Sequence, residues 1–473
     1  MQNQVPTVSK IIEPLLWIFF IVSFICIPIY FIQEKVIYLG KYIRINGLSL
    51  IIFTTVGFFG ALISTYSKRY LQGFTYQKRF SLFSIGFVLS VLFFVIANSS
   101  ILILLSWFLM GLFMAKLIGV NADWGEARHA SNYAFRFFFS STILLGLSLS
   151  ILTYYSSSFQ LDYILNNLDL IPNSMLVIAA ILLIIAGFIQ SALFPFHRWL
   201  LSAMTAPTPA SALMHAGFIN GAGILFTLFA SLLIRSNTLM LLFVLGGFIA
   251  LIAQFVKLLQ VNVKHKLACS TIAQMGFMVM QCGLGFFNAA IAHLILHGFY
   301  KAYLFLSSGE EIEMSNPNKV TKINIKIIQA FFVILFGLAG AVLFMLLTGK
   351  TSLNNTSIFL TLIVAITVGQ ATYSIIREKS YSFGQRLIVS ISFFVIGIVL
   401  YAVFYNAVSL ILNESNFVIK PHQLSLFEIS FGILFLASFF LMKLGIYRNS
   451  PWLYVKLLNL TQPNKNTILK FKS

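Results

Sequence analysis

Apolar stretches near 20 residues long, the length a helix needs to cross a bilayer, recur along this chain from residue 11 to residue 445. The pattern predicts spans at 11–32, 47–66, 81–97, 99–119, 137–156, 174–194, 211–234, 240–257, 267–285, 288–307, 326–348, 357–376, 386–411 and 426–445, about fourteen in all. Polar breaks separate them: YSKRYLQG, NADWGEARHAS, NNLDLIPNS, SNPNKV, TGKTSLNN and NESNFVIKPHQ. No stretch carries the mixed pattern of a water-soluble domain. Residues 1–445 are read as one transmembrane domain and 446–473 as a short basic C-terminal tail. The expected class is an all-α polytopic membrane protein.

Composition agrees with the pattern. Of 473 residues, 59% are hydrophobic and only 9% charged, against about 25% charged in soluble domains. The 29 glycines and 50 phenylalanines suit small-residue helix packing and a phenylalanine-rich lipid face. Net charge is +19, with basic groups between spans in KRY at 68–70, KHK at 264–266 and KVTK at 319–322. Excess Lys and Arg between spans marks cytoplasmic loops and removes the case for nucleic acid as a partner. The bilayer itself is the expected surrounding. Cys26, Cys269 and Cys282 lie in apolar runs without ligand spacing, so neither disulfide nor metal is expected. The N-terminus lacks the basic leader and small-residue cleavage site of a signal peptide, and the run from Ile11 is expected to stay as a span.

Charges inside apolar runs carry more information, because ionisable groups in hydrocarbon are costly and mark pathways or partners. They are Lys116, Lys257, Lys301 and Lys443, with Glu13 and Glu428 near span ends. Lys443 and Glu13 can snorkel to the interface; for Lys116 snorkelling and a pathway role stand level. Lys257 ends its run and can face an aqueous rim. His293, His297 and Lys301 are spaced by four and share one helix face. Such a ladder can pass protons with bridging water, since histidine titrates near neutrality. The plainer alternative is a pair of core histidines bonded to neighbouring helices. Two histidines make half a metal site and no third ligand appears by spacing. Ser270, Thr271 and Gln274, after Lys264 and Lys266, either bond across helices or line water.

Residues 197–223, HRWLLSAMTAPTPASALMHAGFINGAG, interrupt the apolar rhythm. Pro207 and Pro209 cannot continue a helix, and Gly217, Gly221 and Gly223 loosen the backbone beyond them. Broken backbone at membrane depth occurs only beside protein or a water-filled cavity, so His215 just beyond the break, with Asn220, becomes a candidate relay. A short surface loop between two ordinary spans fits the pattern equally well.

These stretches, SALFPFHRWLLSAMTAPTPASALMHAG at 191–217, KHKLACSTIAQMGFM at 264–278 and HLILHGFYKAYLFLSSG at 293–309, resemble the proton-conducting antiporter-like family. That family includes the large membrane-arm subunits of respiratory complex I and of multisubunit cation/proton antiporters. IRINGLSL and YSKRYLQG at 43–73 resemble its amino-terminal part. MHAGFINGAG and MGFMVMQCGLGFFNAAIAHLILHGFYKA look like the DabB branch, membrane subunits of energy-coupled inorganic-carbon pumps. The resemblance covers roughly residues 40–310 and implies an antiporter-like fold with discontinuous helices. It implies proton or other cation conduction that drives a large soluble or peripheral zinc-binding partner, DabA-like and similar to carbonic anhydrase. No cofactor is expected in this chain; the zinc would belong to the partner. The location implied is the bacterial inner membrane.

Carried over residue by residue, His293, His297 and Lys301 match the family's relay helix, Lys264 its lysine opening the preceding helix, and His197, Pro207, Pro209 and His215 its broken-helix region. The chain departs from the family at Phe108, where complex I subunits carry a glutamate, and at Gln190, where they carry a lysine. Asn46 and Asn262 stand where aspartates are common, and the family's arginine–glycine–aspartate stretch is absent from RFFFSSTILLG. Glutamine can hold water but not take up a proton. Conduction is therefore expected to lean on His293, His297 and Lys301, with His215, Lys264, Lys116 and Gln190 as further pathway positions. Three functions are compatible with these residues: the conducting subunit of an inorganic-carbon pump, a proton-translocating subunit of a quinone-oxidoreductase-like complex or cation/proton antiporter, and a non-conducting membrane anchor or assembly subunit. No nucleotide loop or nucleophile elbow suggests an enzyme.

Overall fold

The computed structural model describes residues 5–33, 36–260, 262–307, 327–349, 355–359, 361, 383–412, 424–444 and 450–468. The chain divides into two compact units, Met1–Glu313 with Glu414–Phe417 and Val455–Ser473, and Met314–Asn413 with Val418–Tyr454. Among the described residues, ten helices are long and apolar enough to cross a membrane.

The first unit starts with α1 (Thr7–Gln33), a hairpin of β1 (Ile37–Leu39) and β2 (Ile43–Ile45), and α2 (Gly47–Tyr70). Then come α3 (Gln77–Ile96), α4 (Ser100–Ile118), α5 (Gly125–Ser156), the short α6 (Leu161–Asn166) and α7 (Asn173–Gln190). After α8 (Arg198–Ser202) the chain runs through α9 (Thr208–Ala216), α10 (Gly221–Leu228), α11 (Ala230–Arg235), α12 (Leu239–Lys257), α13 (Val263–Gly283) and α14 (Phe287–Ser307). The hairpin is a small addition to the expected all-helical class; Gly40 turns it at φ +70, a conformation that favours glycine.

Helix ends explain two of the sequence's departures. Asn46 caps α2, accepting from Ser49 N–H at 3.0 Å while Ser49 Oγ accepts from Asn46 N–H at 3.2 Å. Asn262 caps α13 by accepting from His265 N–H at 3.3 Å. A cap needs a side-chain oxygen, and asparagine serves as well as aspartate.

The prolines do not break a helix. Pro207 is the cap residue of α9 and Pro209 lies in its first turn, where a missing N–H costs nothing. The interruption comes two turns later, at Gly217 and a single 3-10 turn, Phe218–Asn220. His215 therefore sits just before the break. Ser191 supports the interrupted backbone: its Oγ donates to the Ile219 carbonyl and accepts from Ala222 N–H at 3.2 Å. This is how a hydroxyl re-satisfies groups that a broken helix frees.

An aromatic core packs around α4, α5 and the segment preceding α9. Phe138 lies 4.7 Å from Trp199 and 4.6 Å from Phe218, and Phe94 lies 5.1 Å from Trp107, between ring centroids. At one end of the unit the hairpin is tied to the helix connections: Tyr42 carbonyl accepts from Asn98 N–H at 2.7 Å, and Phe159 carbonyl from Ser100 N–H at 2.9 Å. At the other end the chain's last described segment is strapped down. Asn464 N–H donates to Ser202 Oγ at 3.2 Å, Asn464 Nδ2 to Tyr133 OH at 3.0 Å, and the buried Thr467 hydroxyl to Ser202 at 3.0 Å. Lys68, Arg69, Lys78, Arg79, Arg198, Lys257, Lys264 and Lys266 gather at this strapped end.

The second unit contains helices Ile327–Thr348, Phe383–Leu412 and Leu426–Leu444. Phe344 packs on Tyr401 at 5.6 Å and Tyr405 at 6.1 Å. Glu428 closes a capping box, accepting from Ser425 N–H at 2.8 Å while Ser425 Oγ accepts from Glu428 N–H at 3.2 Å, so this buried carboxylate stabilises a helix start. Most of the expected span 357–376, the breaks SNPNKV and NESNFVIKPHQ, most of TGKTSLNN, the KVTK cluster and the Lys443 side chain lie outside the described residues.

Candidate functional site

The stripe on α14 faces inward. Lys301 is fully buried and His297 is 5% exposed, whereas His293, nearer the start of the helix, is half-buried. Lys301 Nζ donates to the Leu267 carbonyl on α13 at 2.8 Å. That carbonyl also accepts from Thr271 Oγ1 at 3.1 Å, so Thr271 bonds within its own helix. The rings of His293 and His297 are 6.3 Å apart between centroids, a gap that a water molecule can bridge. His297 lies one helical turn from both His293 and Lys301 on the same face of α14. Neither of its ring nitrogens has a protein hydrogen-bond partner.

α9 brings His215 to the same place. Its ring is fully buried, stacks on Phe305 at 4.4 Å, and has both nitrogens without a protein partner. Close approach of α9 and α14 depends on Gly298, where a Cβ would meet Phe59 at 2.7 Å and the Ala216 carbonyl at 3.1 Å. The same carbonyl accepts from Asn220 Nδ2 at 2.7 Å, leaving Asn220 Oδ1 unpartnered. Next to the break, Gln190 is completely buried against Gly221, and neither amide atom has a partner. Buried polar atoms are almost always paired. The unpaired ones on His215, Asn220, Gln190 and His297 lie around the helix interruption and form a polar seam.

The other sequence candidates divide. Lys264 caps the turn before α9, donating to the carbonyls of Ala206 at 3.1 Å and Met204 at 3.5 Å. It lines a cavity of about 250 Å³ at the strapped end, with Glu126, His265, Ser202 and Thr467. Lys116 is corrected: it is exposed in the last turn of α4, a position from which a long side chain reaches water, and it is not part of the seam. Glu13 does not simply snorkel; it accepts from Lys68 Nζ at 2.7 Å. His197 is buried, its Nε2 bonded to the Leu460 carbonyl at 2.6 Å, and burial pushes its pKa down to about 4. It anchors the strap rather than the seam.

Sequence reasoning passed over Gln281 and Asn288. Gln281, fully buried on α13, places Oε1 3.2 Å from His293 Nδ1. Gln281 Nε2 and Asn288 Oδ1 are buried and unpartnered. Amides scattered in an apolar run look like ordinary core residues; only the contact with His293 singles them out. Among the described residues, no group of His, Cys, Asp and Glu is arranged to hold a metal ion.

The probable inorganic carbon transporter subunit DabB of Hydrogenovibrio crunogenus is 32% identical over 311 residues, 64% of this chain and 59% of that protein. NADH-quinone oxidoreductase subunit L of Rickettsia typhi is 32% identical over 293 residues, 59% of this chain and 44% of that protein. The chain thus spans about half the length of these relatives. The solved Mrp complex from Dietzia sp. DQ12-45-1b shares the fold with a TM-score of 0.61 at 18% identity, over 97% of this chain and 54% of that one. A family model described as NADH:quinone oxidoreductase/Mrp antiporter, TM, matches residues 97–377. That match takes in most of the aromatic core, the interrupted helix and the whole titratable stripe, and this multi-pass membrane chain belongs to the NADH:quinone oxidoreductase/Mrp antiporter transmembrane family.

Proposed function

We propose that the chain is the ion-conducting membrane subunit of an energy-coupled inorganic-carbon pump in the bacterial inner membrane. Proton movement through its seam drives a large zinc-containing, carbonic-anhydrase-like partner that hydrates carbon dioxide to bicarbonate. Residues 1–445 form the antiporter-like domain of about fourteen spans, with 446–473 the basic tail. The observation that carries the reading is Lys301, a lysine with no exposed surface one turn from His297 on α14, the helix on whose Phe305 ring His215 stacks. Similarity to the DabB protein of Hydrogenovibrio crunogenus supports the choice of pump. The strapped end, with its lysines and arginines, is the cytoplasmic one. His293 lies toward the opposite end, about 12 Å from Lys301 along the helix axis. Protons exchange between water and the neutral rings of His293 and His297, and Lys301 with His215 governs passage to the cytoplasmic side. Gln190 and Asn220 hold water at the helix interruption, and Lys264 fixes its cytoplasmic base.

Lys301→Ala should abolish complementation of a strain that requires elevated carbon dioxide, with the protein still present in the membrane. Full growth with that variant removes the relay assignment. Similarity to the quinone-oxidoreductase subunit supports a second reading, a proton-translocating subunit of such a complex or of a cation/proton antiporter. Co-purification decides between them: a zinc-containing partner supports the pump, and redox or antiporter subunits support the alternative.

A further inference from the structure

His293 is the half-buried member of the stripe, and the fully buried Gln281 is its hydrogen-bond neighbour from α13. The contact pairs Nδ1 with the amide oxygen at 3.2 Å. An amide oxygen can only accept, so with Oε1 facing the ring the proton of the neutral ring sits on Nδ1. We propose that Gln281 is a positioning residue: it locks His293 in the Nδ1–H tautomer and makes Nε2 the one ring atom that takes up and releases the moving proton.

The inference rests on the conduction reading and adds a direction to it. A proton binds the Nε2 lone pair, giving an imidazolium, and leaves from the same nitrogen, restoring the neutral ring. Nothing passes through Nδ1, because glutamine cannot take its proton. His293 is thus a docking point on a water chain, rather than a ring that hands protons from one nitrogen to the other. The second hydrogen-bonding group of Gln281 stays free of protein partners. Its Nε2 is buried without a protein partner, as is Asn288 Oδ1 near the start of α14. Most buried donors in folded proteins are paired, so this one is uncommon. The arrangement parallels the partners that fix tautomer and ring orientation in metal-bound histidines.

The test uses the full chain in lipid bilayers with histidine 15N-labelled, the His293 resonances being identified by their loss in His293→Asn. Solid-state NMR should show the Nδ1–H tautomer in the parent protein and in Gln281→Glu, which keeps an acceptor oxygen. In Gln281→Met the ring should revert to Nε2–H, the form free imidazole side chains favour. An Nε2–H ring in the parent, as a reversed amide would give, overturns the proposal; so does an Nδ1–H ring that persists in Gln281→Met. Proton flux in liposomes is measured in parallel. Gln281→Met should lose roughly ten- to hundredfold, the range for partners that orient a functional histidine, and Gln281→Glu should retain flux. Unchanged flux in Gln281→Met also overturns the positioning role. A parent protein that carries no flux yet shows the Nδ1–H ring removes the conduction reading alone.

Discussion

Two regions of the first unit bury polar side chains and treat them in opposite ways. Among α4, α5 and α7, short of Gln190 at the end of α7, the bonds close on themselves: Trp107 Nε1 donates to Ser141 Oγ at 3.0 Å, Ser141 to the Ala186 carbonyl at 2.8 Å, and Ser148 to the Ala179 carbonyl at 2.7 Å. Around α9, α13 and α14 they stay open, with four histidine nitrogens and amide atoms of Asn220, Gln281 and Asn288 lacking any protein partner. In the first region polarity fastens helices together, since a satisfied hydrogen bond in a dry site specifies packing. In the second it is left without protein partners, as the proposed conduction requires. Burial alone therefore does not distinguish the two regions; hydrogen-bond satisfaction does.

Perturbing each side should separate the two. The largest effect on stability is expected from Trp107→Ala, which empties a fully buried site and should cost about 3–5 kcal/mol. Denaturation in detergent measures it, and flux per folded molecule should survive; loss of flux in well-folded protein would place Trp107 in the pathway. His297→Leu should do the reverse. It removes two unpartnered nitrogens, so stability should hold or rise, while liposome flux falls by about a hundredfold, as for loss of an acid–base group. A smaller, pH-dependent effect belongs to the strap. His197 titrates at about 4 in the fold against 6.5 for the free side chain, so the unfolded state binds the extra proton across that window. Stability falls as pH drops from 6.5 toward 4, by up to about 1.4 kcal/mol per pH unit. His197→Gln should flatten the pH dependence of the unfolding midpoint; an unchanged slope rules this histidine out as its source. The smallest effect is expected at the boundary between the regions. Gln190→Leu should lower flux only a few-fold, because glutamine holds water without taking a proton. A loss matching that of His297→Leu would move Gln190 fully into the conducting side.

Much of the site is legible in one dimension. Spacing by four puts His293, His297 and Lys301 on one face, and helix geometry alone guarantees that. The interruption points to His215, although the sequence pattern sets the break at the prolines rather than at Gly217–Asn220, because proline is equally at home in a helix's first turn. Lys116 is indistinguishable from a pathway lysine along the chain, since its direction of exit depends on which face α4 buries. Gln281 escapes notice for the same kind of reason: its meaning lies in a neighbour 12 residues away on another helix. Likewise Glu13 gives no hint of Lys68, 55 residues on.

By itself the sequence determined that the chain is a helical membrane protein and which residues share the titratable face of one helix. Hydrophobic length and helical period are local properties, readable without a fold. Only the tertiary structure decided that the stripe faces protein, that His215 joins it, that Gln281 holds His293, and that the polarity around Trp107 is closed while that around His297 is open. Each of these depends on contacts between segments distant in the chain, and hydrogen-bond satisfaction does not exist until those segments meet.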